Sequence, residues 1–84
     1  MKDVTIYTTA WCPYCHRAKA LLDKKAVKFN EIDVTMDRKK RDEMEAKAGQ
    51  HTVPQIWIGE THVGGSDDLH ALDRTGKLDA MLAA

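Results

Sequence analysis

A β-branched run, VTIYT (Val4 to Thr8), gives way four residues on to Cys12-Pro13-Tyr14-Cys15, and this junction leaves the chain few ways to fold. The alternating run is a strand signal. Pro13 has a fixed φ and no amide hydrogen, so it suits the first position of a helix, where that hydrogen would have no partner. Cys15, Ala18 and Leu22, with Leu21 beside them, carry the helix onward on one apolar face. Cys12 thereby falls at the N-cap. A second strand, VKFNEIDV (Val27 to Val34), follows after about three helical turns, which is the sequence form of a right-handed parallel β-α-β unit.

The remaining pattern extends this unit. A second helix is expected over about Asp37 to Ala48, with a solvated face laced by Asp37–Arg41, Lys39–Glu43 and Glu43–Lys47 pairs. Met44 and Ala48 give it a modest buried stripe, and Gly49 suits the left-handed residue that ends a helix. PQIWIGETHVGG reads as a hairpin: Gln55 to Ile58, a Gly59-Glu60 turn, then Thr61 to Val63. Ile56 and Ile58 point one way and Trp57 the other, so both faces of this strand are expected to be covered, with Trp57 in the core. A third helix follows Gly64-Gly65-Ser66 with Leu69 and Leu72 inward, and KLDAMLAA closes the chain as a short helix turning in Leu78, Met81 and Leu82. The fold class is α/β: a four-stranded mixed sheet flanked by helices in the order β-α-β-α-β-β-α. The cysteine turn lies at the carboxyl end of the first strand, where open α/β sheets place their sites.

Composition narrows the partners. A chain of 84 residues is expected to be one domain, residues 1–84, burying roughly 60% of its unfolded surface. Thirteen basic and thirteen acidic residues cancel, which argues against a nucleic-acid or anionic-membrane surface and for a small ligand or another protein. MKDVTIYTTAWC lacks the apolar run of a secretory signal, and no stretch approaches the roughly 20 apolar residues of a membrane span. The expectation is a cytoplasmic monomer, in which a cysteine pair points to metal binding or catalysis before a structural disulfide.

Cys12 and Cys15, followed by His16, admit four readings. As a structural staple the pair closes a loop of four residues, worth about 2 kcal/mol on the chain-entropy relation, and joins nothing distant. A structural zinc site needs four ligands, but there is no second cysteine pair and His16, His51, His62 and His70 lack finger-like spacing. CPYCH fits the haem-attachment pattern, with Met36, Met44 or Met81 as a second axial ligand, but such attachment belongs to exported proteins. The redox reading uses every feature. A sulfur at a helix N-terminus meets unpaired amides and the positive end of the helix dipole, with Arg17 and Lys19 nearby, so Cys12 is expected to be largely thiolate. Cys15, on the apolar stripe, is the buried resolving thiol, and the N-cap and N3 positions bring the two sulfurs within bonding reach. Ionising a thiol fully at neutral pH gains roughly thirtyfold in thiolate, but a Brønsted slope of about 0.45 weakens each thiolate nearly fortyfold. The advantage therefore lies in departure: a mixed disulfide on Cys12 resolves faster when Cys12 leaves as a stable anion.

One further stretch bears on binding, while Pro54 by itself reads as a residue that opens a strand. GGSDD (Gly64 to Asp68) suits an α-amino acid, whose carboxylate meets free helix amides and whose ammonium meets Asp67 or Asp68. A Gly-Gly turn followed by N-capping residues explains the same letters equally well.

With these motifs placed, the whole chain resembles the dithiol glutaredoxins of the thioredoxin fold, in particular the short bacterial type. The resemblance rests on CPYC (Cys12 to Cys15), TVP (Thr52 to Pro54) and GGSDDL (Gly64 to Leu69), in order and at the family's spacing. It implies a cis Val53–Pro54 bond beside the cysteines, with the Val53 backbone offered to the cysteine part of glutathione so that an extended peptide paired there holds its sulfur against Cys12, and a glutathione site formed by Tyr14, Thr52, Val53, Pro54, Gly65, Ser66, Asp67 and Asp68. Many relatives carry a Lys three residues before the first cysteine for the glycine carboxylate of glutathione; Thr9 stands here, which leaves Arg41 or Gln55 to substitute. The implied activity is reduction of protein disulfides and glutathionylated proteins, with glutathione as co-substrate and no metal. Trp11 is the residue thioredoxins favour before the first cysteine, so an electron donor to ribonucleotide reductase, itself reduced by thioredoxin reductase, is the alternative within the class. A glutathione-ligated [2Fe-2S] module is the alternative outside it, disfavoured by Pro13.

Overall fold

Local rules fix where the first helix begins and ends. The structure, a computed structural model, describes residues 2–83. Strand β1 (Val4–Thr8) leads to helix α1 (Pro13–Lys24), which Cys12 caps with an extended backbone as the Pro13 rule requires. Its far end closes as a Schellman motif: the Val27 amide donates to the Leu22 carbonyl at 3.0 Å and the Ala26 amide to the Asp23 carbonyl at 2.9 Å. The left-handed position of that motif holds Ala26, at φ 58°, where glycine is usual. Because the Val27 amide is spent there, strand β2 is Phe29–Asp33, shorter than the pattern from Val27 to Val34 suggested.

Helix α2 (Arg38–Ala48) starts on Asp37, whose carboxylate accepts from the Lys40 amide at 3.0 Å, and stops at Gly49 with φ 68°. That cap removes Asp37 from the ion pair expected with Arg41. The pairs that form are Arg38–Asp42, Lys40–Glu43 and Arg41–Glu45 instead of those expected at Lys39–Glu43 and Glu43–Lys47. Strands β3 (Gln55–Ile58) and β4 (Thr61–Gly64) make the hairpin, followed by α3 (Ser66–Arg74) and α4 (Lys77–Ala83).

The sheet order is β2-β1-β3-β4, with β1 parallel to β2, antiparallel to β3, and β3 antiparallel to β4. This is the thioredoxin-like arrangement expected. Ile56 and Ile58 join Val4, Ile6, Ala18, Leu22, Leu69, Leu78 and Leu82 in the core beneath α1, α3 and α4. On the other face Trp57 packs with Tyr7, Val34 and Met44 of α2. Lys25 ties three helices together through Asp73 at 2.7 Å and Asp79 at 2.9 Å. Those carboxylates raise the Lys25 pKa, and Lys25 in turn holds Asp73 below the usual carboxylate range.

Candidate active site

The cysteine turn hangs from the end of β1, and three contacts fix that end. The buried Thr8 hydroxyl donates to Glu31 at 2.7 Å, and the same carboxylate oxygen receives the Lys19 ammonium at 2.9 Å. Thr8 first, and Lys19 second, hold the Glu31 carboxyl below its ordinary range. The Ala10 amide then donates to the Thr35 hydroxyl at 2.8 Å, so the turn is secured to the chain leaving β2. Cys12 opens α1 with its Sγ accepting from the Cys15 amide at 3.0 Å.

Cys12 and Cys15 are joined as a disulfide, with Cα atoms 5.2 Å apart, inside the range such bonds require. Cys12 is 6% exposed and Cys15 only 1%, which matches an outer and an inner sulfur. The first turn of α1 holds no acidic side chain, and the Cys15 amide points at Cys12 Sγ from the positive end of the helix. Of the two cations expected near it, Arg17 lies over the Tyr14 ring at 4.6 Å and Lys19 is paired with Glu31.

Cys12 Sγ lies 3.8 Å from the Val53 carbonyl oxygen, and the Val53–Pro54 bond is cis. Beside it runs a groove of about 290 Å³ lined by Tyr14, Gln50, Thr52, Val53, Pro54, Gly65, Ser66, Asp67 and Asp68. The groove thus joins three stretches far apart in sequence. At its far end the Gly65 amide donates to Asp68 at 3.0 Å, which spends that carboxylate on capping α3. Asp67 is exposed and, among the described residues, makes no ion pair or hydrogen bond. Gly64, at φ 113°, lets the chain pass the Asp68 carboxylate, which any Cβ there would strike.

The glutaredoxin family profile matches residues 4–63, the stretch that spans both the cysteine turn and the cis-proline loop. The chain belongs to the glutaredoxin family. It is 66% identical over all 84 residues to a glutaredoxin of Pseudomonas aeruginosa, covering the whole of both chains. The solution structure of a glutaredoxin from Brucella melitensis superposes with a TM-score of 0.86 at 56% identity, over 98% of this chain and 89% of that one. A buckwheat glutaredoxin–glutathione complex superposes with a TM-score of 0.89 at 29% identity, over 98% and 77%. As a glutaredoxin with a Cys12–Cys15 pair, the chain is a thiol-disulfide oxidoreductase.

Two residues expected to touch ligand stand elsewhere in this glutaredoxin. Gln55 is 0% exposed, and its amide bonds to Gln50, Thr52 and His62, so it does not line the groove. Arg41 lines a neighbouring depression with Arg38, Glu45 and His51, and its guanidinium donates to the His51 carbonyl at 2.7 Å. A side chain at either position can be drawn toward ligand from the letters alone, but both are committed to the loop before Pro54. Sequence reasoning also missed Gln50, Thr35 and the Thr8–Glu31 pair. The last was accessible in principle, because parallel pairing of β1 with β2 puts Ile6 against Glu31 and thus Thr8 diagonally beside it on the same face.

Proposed function

We propose that this glutaredoxin reduces glutathionylated proteins and protein disulfides in the cytoplasm, with glutathione as the electron source. The observation that carries the reading is the groove that runs from Tyr14 and Val53 to Asp67 and the N-terminus of α3, with the Val53 carbonyl at its edge 3.8 Å from Cys12 Sγ. It has the order of groups that a γ-glutamyl-cysteinyl ligand needs. The Val53 backbone offers pairing for the cysteine residue, and the first turn of α3 offers amides to a carboxylate. Asp67 offers an unspent anion to the neighbouring ammonium. Exposed apolar side chains support protein-sized substrates: Trp11 is 92% and Met36 95% exposed, on adjoining depressions that share Ala10.

In the reaction, the Cys12 thiolate attacks the glutathionyl sulfur of a protein mixed disulfide, and the protein sulfur leaves as thiolate. A free glutathione thiolate then attacks the glutathionyl sulfur held on Cys12, releasing oxidised glutathione and regenerating the Cys12 thiolate. Protein disulfides follow the dithiol route. The Cys12 thiolate takes one protein sulfur and frees the other, Cys15 attacks Cys12 Sγ to free the second, and two glutathione molecules reduce the resulting Cys12–Cys15 bond. Departure of Cys12 recurs in both routes, and the Cys15 amide at 3.0 Å stabilises that leaving anion. A Cys15→Ser variant should therefore keep turning over a glutathionylated peptide while losing reduction of a protein disulfide. Loss of both activities in a folded variant would remove the assignment of Cys15 as the resolving group alone.

Trp11 favours a second electron source. Its exposed ring beside Cys12 is a surface on which a thioredoxin reductase could dock, and the chain would then serve as a donor to enzymes such as ribonucleotide reductase.

A further inference from the structure

The segment Gln50 to Pro54 carries the Val53 backbone into the groove, yet it has no ladder to hold it. Among the described residues, none of Gln50, His51, Thr52 and Val53 makes a backbone–backbone hydrogen bond. Side chains hold it instead. From below, the buried Gln55 amide nitrogen donates to the Gln50 side-chain oxygen at 2.9 Å and to the Thr52 carbonyl at 3.0 Å, with the Thr52 hydroxyl at 3.2 Å. From outside, Arg41 donates to the His51 carbonyl at 2.7 Å.

The direction in which Gln55 points its donors is itself fixed. His62 Nε2–H donates to Gln55 Oε1 at 2.7 Å, so the oxygen end is occupied and both amide hydrogens face the loop. His62 is steadied in turn by stacking on Trp57, with ring centroids 4.7 Å apart. Trp57 is wedged against Tyr7 and lies under the Lys47 ammonium. A chain of contacts thus runs from the second core cluster, through His62 and Gln55, to the Thr52 carbonyl, next to Val53, whose own carbonyl stands 3.8 Å from Cys12 Sγ.

We propose that Gln55, oriented by His62 and seconded by Arg41, is a positioning residue that sets where the Val53 backbone stands against Cys12, and thereby the affinity for the glutathionyl half of a mixed disulfide. This deepens the proposed function and rests on it. It also reassigns both residues that resemblance put on the glycine carboxylate. A buried glutamine bridging strand to loop in this way is high-stakes, because losing its amide hydrogens leaves the Thr52 carbonyl and the Gln50 side-chain oxygen without their donor, free to move or to seek water.

The test uses Gln55→Met, which keeps the volume and removes every hydrogen bond, and His62→Phe, which keeps the ring on Trp57 and removes only the orienting donor. The Val53 amide order parameter of Gln55→Met should fall from the rigid value of about 0.85 toward 0.6, with β1 amides unchanged. KM for a glutathionylated peptide should rise about fivefold, the loss expected for one ordinary hydrogen bond's worth of alignment, while kcat stays within about twofold. His62→Phe should move both readouts in the same direction by less. The rate of Cys12 alkylation by iodoacetamide should stay within about twofold of the parent in both variants, because that small reagent is not held by the Val53 backbone. Unchanged Val53 order, an unchanged KM, or an alkylation rate that falls by as much as KM rises would overturn the proposal. If the parent protein itself failed to turn over the glutathionylated peptide, the proposed function would fall, and the order parameters would still decide whether Gln55 holds the loop.

Discussion

Asp67 and Asp68 are adjacent acids at the same helix start, and the structure separates them. Asp68 already accepts the Gly65 amide, whereas Asp67 is exposed and, among the described residues, unspent. If the groove takes glutathione, the α-ammonium of the ligand belongs to Asp67. An exposed ion pair is worth up to about 1 kcal/mol and a charge-assisted hydrogen bond about 1.5 to 3 kcal/mol. Asp67 stands at the solvent edge of the groove, so the interaction should lie near 1 to 1.4 kcal/mol, which is about fivefold to tenfold in affinity. Asp67→Asn should raise KM for glutathione by that factor with kcat little changed. Asp68→Asn keeps an acceptor for Gly65 and should raise KM less than about twofold, at a cost of about 0.5 to 1 kcal/mol in stability near the α3 N-terminus. A glutathione analogue lacking the α-amino group closes a double-mutant cycle: its fivefold to tenfold disadvantage in the parent should shrink to near unity in Asp67→Asn. Equal disadvantage in both proteins, or a larger effect from Asp68→Asn, would refute the assignment.

Two further outcomes concern stability. Ala26 holds the left-handed position that closes α1, so Ala26→Gly relieves a steric cost of about 1 to 2 kcal/mol and loses about 0.4 to 1 kcal/mol through greater freedom of the unfolded chain. The net gain should be about 0.5 to 1 kcal/mol, seen as a rise of roughly 2 to 8 °C in Tm by calorimetry; an unchanged or lower Tm would contradict the Schellman account. Glu31 and Asp73 are held below the ordinary carboxylate range, so the stability they contribute is complete above their unfolded pKa and disappears as pH falls through the lower folded value. Lys25, held above its ordinary value, contributes stability that is complete at neutral pH and lost as pH rises through the raised value. Urea midpoints of Lys25→Met should therefore show a shallower decline on both the acid and the alkaline side than the parent, and identical pH profiles would count against the three-helix tie.

What the sequence made legible was whatever depends on neighbours along the chain. Pro13 after Cys12 placed the N-cap and the first helix; Gly49 placed the end of the second; alternation through Gln55 to Ile58 placed Trp57 opposite the two isoleucines. The start of β2 was misplaced because Val27 has strand character but its amide is drawn into a helix-ending motif that Ala26, lacking the usual glycine, does not advertise. The ion pairs on α2 were misassigned because capping claimed Asp37. Arg41 and Gln55 were drawn toward the ligand because charge and polarity are visible in letters, while the loop carbonyls that claim them exist only once the loop before Pro54 is packed. Local rules give the site its sulfur; tertiary contacts give it its groove.

The central claim is that Cys12 works with glutathione, and NADPH oxidation in two coupled systems tests it most directly. With a glutathionylated peptide, glutathione and glutathione reductase should sustain turnover that saturates with peptide, persists in Cys15→Ser and disappears in Cys12→Ser. Thioredoxin reductase alone should sustain little. Turnover with thioredoxin reductase and none with the glutathione system would contradict the account and make the surface around Trp11, instead of the groove beside Val53, the place where electrons enter.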